Sequence, residues 1–97
     1  MVNRKLKQFI VVAYDVANDK RRLKIAKMLE QYGLRCNESV FECILTEAKT
    51  REMKNKLLNV ADESEDSILI YNLCMPCTVK RENIGKRAEL LPETVVV

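Results

Sequence analysis

The sequence predicts a single α+β domain in which two helices lie on one β-sheet. Three observations predict it. An unbroken apolar run, Phe9-Ile-Val-Val-Ala-Tyr14, ends in an acid; two segments, after residues 19 and 46, repeat apolar residues every three or four positions; and three more short runs are rich in β-forming residues. Ninety-seven residues suffice for one buried core, and shares of 47% hydrophobic and 32% charged residues exclude the disordered and collagen-like classes.

Each element carries its own signal. The run over residues 9–14 is apolar at every position, as expected of a central strand buried on both faces. Asp19 is the expected N-cap of the first helix, whose inner face holds Ile25, Met28, Leu29 and Tyr32 and which Gly33 should end. Residues 34–36 and 40–45 read as two strands joined by the turn chemistry of Asn37-Glu38-Ser39. Thr46 is the expected cap of a second helix that buries Met53, Leu57, Val60 and Ala61. Ser67-Ile-Leu-Ile-Tyr71 is the next strand, stopped by Met75-Pro76, and residues 92–97 close the chain as an extra terminal strand.

Strand, helix, strand, strand, helix, strand, with right-handed crossovers, gives a ferredoxin-like sandwich over residues 1–80, followed by a C-terminal extension over residues 81–97. Both helices then cover the same sheet face. The opposite face of the first strand is also apolar, so a homodimer packed through its sheets is expected. The terminal valines either lengthen this chain's own sheet or cross to the partner's as an edge strand. No apolar run approaches the roughly 18 residues of a membrane span, and the first residues lack a signal peptide's pattern, so a cytoplasmic protein without membrane contact is expected.

The net charge is only +3, but residues 1–27 carry eight basic side chains against two acidic ones, which favours a phosphate-bearing partner. The absence of histidine removes the commonest general base and metal ligand, leaving carboxylates for any catalysis. Two glycines make no phosphate-binding loop, and Ser/His/Asp and Cys/His sets are excluded. Cys74-Met-Pro-Cys77 has ligand or redox spacing, yet Cys36 and Cys43 form no matching zinc knuckle, and a structural role is favoured for the four cysteines.

Asp15 stands where the first strand ends and the helix is about to begin. It either caps that turn or, paired with its copy across a two-fold axis, holds a divalent metal. Tyr14 falls on the opposite face and is expected to pack with its hydroxyl near the rim. Arg21, Arg22 and Lys24 open the first helix, where cations oppose the dipole; they either contact phosphate or form a solvated charge run. Arg35 is a candidate phosphate clamp, and Phe41 either stacks on a base or belongs to the core.

Val12-Ala-Tyr-Asp15-Val, Asn18-Asp-Lys-Arg-Arg-Leu-Lys24, Tyr32-Gly-Leu-Arg35, Ser39-Val-Phe-Glu42 and Tyr71-Asn-Leu-Cys74 resemble, in order and spacing, the CRISPR-associated protein two family. The resemblance runs from about Phe9 to Cys77. It implies a ferredoxin-like homodimer that takes part in spacer acquisition with the CRISPR integrase subunit. It also implies a metal-dependent endonuclease acting on single-stranded RNA or double-stranded DNA, with Mg²⁺ at Asp15. Tyr14 and Asp15 match the family's catalytic strand end, Arg22 and Arg35 match basic positions implicated in activity, and Phe41 matches the aromatic of the Ser-Val-Phe motif. The family's closing strand, docked on the partner subunit, corresponds to residues 94–97. Two departures stand out: Lys24 replaces a frequent arginine and so lacks its forked donors, and Cys36-Asn37-Glu38 replaces a stretch that often reads aliphatic, glutamine, aromatic.

Two further functions fit the same residues. The resemblance also implies a non-catalytic dimer that bridges integrase subunits and binds DNA, and a small-molecule sensor is the third candidate, because ferredoxin-like folds host many functions.

Overall fold

The computed structural model describes residues 6–85. Strand β1 (Lys7–Asp15) is followed by α1 (Asp19–Leu29), β2 (Gly33–Asn37), β3 (Val40–Thr46), α2 (Glu47–Val60), β4 (Ser67–Leu73) and a 3₁₀ helix (Met75–Lys80). The four strands form one antiparallel sheet in the order β2-β3-β1-β4, the expected ferredoxin-like arrangement. Val12 sits at its centre, opposite Phe41 on one side and Ile70 on the other.

One sheet face makes the core. Ile10, Val12 and Tyr14 of β1 join Phe41, Cys43 and Leu45 of β3, under Ile25, Ala26 and Leu29 of α1 and Met53 and Leu57 of α2. Complete burial of side chains such as Phe41 and Ile10 contributes about 1.5–3 kcal/mol each. The other face presents Val11 and Ala13 of β1, Val40 and Ile44 of β3, and Leu69, Tyr71 and Leu73 of β4. Leu69 and Tyr71 are 53% and 52% exposed. Among the described residues, neither α-helix covers this face; the 3₁₀ helix packs against β1, and Arg81 beyond it reaches Glu42.

Helix boundaries differ from expectation in two places. Asn18, not Asp19, is the N-cap of α1: its side chain accepts the Arg21 amide at 2.9 Å, while Asp19 is the first helical residue, where its charge suits the dipole. The helix ends at Leu29, before Gly33, which opens β2 instead. A Cβ at Gly33 would lie 2.2 Å from the Glu42 carbonyl oxygen, so close approach of β2 to β3 accounts for the glycine. Thr46 caps α2 as expected, accepting from the Lys49 amide at 3.2 Å. The expected last strand lies outside the described residues. No described helix is long and apolar enough to cross a membrane.

Candidate active site at the end of the first strand

Alternation along β1 turns Tyr14 into the core and Asp15 outward at the strand's end, opposite Ser67 of β4 and on the side of the sheet away from α1 and α2. The Asp15 side chain is exposed and makes no hydrogen bond or ion pair among the described residues. A capping acid would be bonded to the turn it caps, and here Asn18 fills that role. An open groove of about 1210 Å³ runs past Asp15, with Tyr14, Arg22, Arg35, Glu38 and Ser39 in its wall.

Two arginines brace that wall. Arg22 Nη1 donates to the carbonyls of Val16 and Ala17 at 3.0 and 3.3 Å, and its other terminal nitrogen pairs with Asp19, so the two residues after Asp15 are tied to the first turn of α1. Arg35 lies over the Phe41 ring, 5.9 Å from its centroid, and its Nε donates to the Glu38 carbonyl at 3.1 Å. The Tyr14 hydroxyl donates to the same carbonyl at 3.0 Å, and the Tyr14 amide donates to the Ser39 carbonyl. Burial pushes the Tyr14 phenol above its ordinary pKa, so it stays protonated and serves as a donor.

The structure therefore gathers Tyr14, Asp15, Arg22 and Arg35 around one groove and leaves the other expected residues elsewhere. Arg21 turns the other way, with Nε 2.8 Å from Asp66 and Nη2 2.8 Å from Glu65 in the acidic loop before β4. Lys24 is exposed on α1, outside the groove. Phe41 is completely buried, stacked beside Tyr14 at 6.3 Å, which corrects the base-stacking expectation: it has no face to offer a nucleotide. The Glu38 carbonyl, which receives both Tyr14 and Arg35, left no trace in the sequence because a backbone oxygen belongs to every residue. Glu42 was the missed side chain. Its signal was a lone acid inside the apolar run Val40-Phe-Glu-Cys-Ile-Leu45.

One chain supplies Asp15 as a single outward carboxylate, and among the described residues no three His, Cys, Asp or Glu side chains cluster to hold a metal. The Val16 and Ala17 carbonyls beside it are already engaged by Arg22. An unpaired acid suits a hard cation, but Mg²⁺ takes oxygen ligands in octahedral array, so a protein-bound site requires further oxygens from a second chain, a phosphate or water.

Residues 8–81 match the family described as CRISPR associated protein Cas2. The CRISPR-associated endoribonuclease Cas2 1 of Chloroflexus aurantiacus is 47% identical over 78 residues, covering 79% of this chain and 84% of that one. Among solved structures, Streptococcus pyogenes Cas2 superposes with a TM-score of 0.72 at 35% identity, covering 79% of this chain and 99% of the other. A chain of a partial Cas6-RT-Cas1–Cas2 complex superposes with a TM-score of 0.66 at 31% identity, covering 79% and 90%.

Proposed function

The chain belongs to the CRISPR-associated Cas2 family, and from that membership we propose that it is a metal-dependent endonuclease that takes part in spacer acquisition with a Cas1 integrase. The observation that carries the catalytic part is Asp15: an acid whose side chain has no partner among the described residues, at the rim of a sheet face whose exposed apolar side chains neither α-helix covers. A cytoplasmic homodimer packed through that face would bury Leu69, Tyr71 and Leu73 and bring the two Asp15 carboxylates toward the same dyad. Each chain then contributes one acid to a shared site for Mg²⁺.

The chain's own groups have separate tasks. Asp15 supplies ligand oxygen and sits where a phosphodiester enters the groove. Arg22 fixes the main chain just beyond Asp15, and its positive charge at the groove wall favours the phosphate. Arg35 and the Tyr14 hydroxyl hold the Glu38 carbonyl, fixing the opposite wall. When bound, the divalent cation offsets phosphate charge and makes its water a better nucleophile. Tyr14 is thus a positioning residue in this account.

Cleavage of labelled single-stranded RNA and duplex DNA by the parent and by Asp15→Ala, with Mg²⁺ and with chelator, tests the proposal. Loss of cleavage in the variant and in chelator, with the dimer intact, is the expected outcome; equal cleavage by both proteins defeats it.

A second reading, a DNA-holding scaffold between integrase subunits, is favoured by the likeness to a chain of a Cas1–Cas2 complex and by exposed Lys20, Lys24 and Lys27 along α1. Binding to duplex DNA should then weaken with salt at a slope of about −0.9 per neutralised phosphate in a log–log plot, whether or not Asp15 is present. A flat salt response would remove it.

A further inference from the structure

We propose that Cys74 and Cys77 form a dithiol site that a low-molecular-weight disulfide, such as glutathione disulfide, converts reversibly to an intramolecular disulfide. The two sulfurs lie 3.4 Å apart. The backbone makes this pairing: the Cys77 amide donates to the Cys74 carbonyl at 3.0 Å, closing the first turn of the 3₁₀ helix, and in a 3₁₀ turn residues three apart stack on one side. Pro76, within the first two positions of that helix, fixes its own φ and stiffens the turn between the thiols. Bonding would bring the sulfurs from 3.4 Å to about 2.05 Å, a movement that side-chain rotation in a Cys-x-x-Cys turn can supply.

Exposure assigns the two roles. Cys74 is open to solvent and Cys77 is half-buried, so Cys74 is the sulfur an incoming disulfide can reach. Its thiolate attacks one sulfur of the disulfide, and the first small thiolate leaves and takes up the proton that Cys74 released. Cys77 then loses its proton and attacks the Cys74 sulfur in the mixed disulfide, expelling the second small thiolate, which takes that proton. Two protein thiols are oxidised to one disulfide and one small disulfide is reduced to two thiols.

The remaining cysteines are poor competitors. Cys43 is buried in the core and its thiol is pushed up to about 12 by burial; Cys36 is half-buried, raised by burial, and its Sγ donates to the Val40 carbonyl, whereas the Cys77 thiol is raised chiefly by its hydrogen bond with Cys74, the sulfur it would bond. The site also sits at a structural junction. β4 ends at Leu73, opposite Phe9 of β1, and the turn that the cysteines open leads to buried Thr78 and to Arg81, which pairs with Glu42. A crosslink between Cys74 and Cys77 would therefore stiffen the turn between β4 and the segment that carries Arg81.

The test equilibrates full-length protein in glutathione buffers from fully reduced to fully oxidised. Acid quenching, alkylation in denaturant and peptide mass mapping then follow. The expected result is loss of two hydrogens confined to the peptide holding Cys74 and Cys77, with Cys36 and Cys43 still alkylated and full reversal by dithiothreitol. Cys77→Ser should stop at a glutathione adduct on Cys74, and Cys74→Ser should give neither product. Melting curves of both variants establish that they are folded. The proposal is overturned if the folded parent stays fully alkylated at both positions in the most oxidising buffer, if it stops at the glutathione adduct, or if the disulfide forms with Cys36 or Cys43 instead.

Discussion

Arg81 Nε lies 2.7 and 2.6 Å from the two carboxylate oxygens of Glu42, and both side chains are only about one-tenth exposed, at 11% and 10%. An acid in the middle of β3 is thus matched by a cation arriving 39 residues later from beyond the 3₁₀ helix.

Removing one partner leaves the other charge buried without its counterion. Arg81→Ala is expected to lower stability by about 3 kcal/mol, and the double replacement Glu42→Leu with Arg81→Met to recover most of that loss. Urea denaturation of Glu42→Leu, Arg81→Met and their double variant, beside Arg81→Ala, measures the coupling. Additive effects would show that the pair contributes nothing as a pair.

Acid should loosen the acidic loop. The Asp66 carboxyl is held below its ordinary range, chiefly by the hydrogen bonds from Arg21 and then by the Asp62 amide, and Ser64 lowers Asp62 similarly. A carboxyl depressed in the folded state contributes stability above its unfolded pKa of roughly 3.9 and loses it as pH falls through the folded value. The melting temperature should therefore fall from about pH 5 to about pH 3, and fall less in Asp66→Asn. Thermal melts across that range check the difference between the two slopes.

Tyr14 and Arg22 separate under mutation. Tyr14→Phe removes a hydrogen bond from a carbonyl that Arg35 still serves, so it should cost about 1 kcal/mol of stability and leave cleavage within a few fold. Arg22→Ala frees the two residues after Asp15 and should lower cleavage by about 10²-fold while the dimer persists. Single-turnover cleavage and urea melts on both variants decide the assignment. A large rate loss in Tyr14→Phe would restore a catalytic role to its hydroxyl.

The sheet face away from α1 and α2 gives a further contrast. Tyr71→Asp adds a charge to the apolar face proposed to join two copies and should shift dimer to monomer, whereas Leu58→Asp, on an exposed turn of α2, should not. Sedimentation equilibrium at micromolar concentration reads the outcome; an unchanged mass for Tyr71→Asp would place the interface elsewhere.

Much of this was legible in the order of residues. The two-faced apolar run of β1 announced a central strand, and Thr46 and the Met53, Leu57 face announced α2, because periodicity and capping are local signals. The Asn18 cap was missed because Asn18 and Asp19 are adjacent and both able to cap. Gly33 read as a helix stop because glycine serves both ends and close approaches, and only the distance to the Glu42 carbonyl separates them. At the site, the opposite faces of Tyr14 and Asp15 followed from alternation, but the roles of the arginines did not. A guanidinium that grips its own backbone and one that grips phosphate have the same letter in the sequence. Arg21, Arg22 and Arg35 acquire different partners only once the acidic loop, the strand end and the β2–β3 turn are brought to them.

The central claim is that Asp15 is the acid on which metal-dependent cleavage depends. Its most direct measurement is the Mg²⁺-dependent cleavage rate of parent and Asp15→Ala, purified in parallel and shown by sedimentation to have the same mass. A rate that falls to the chelator baseline in Asp15→Ala is predicted for every substrate the parent cuts; a variant that cuts as fast as the parent contradicts it.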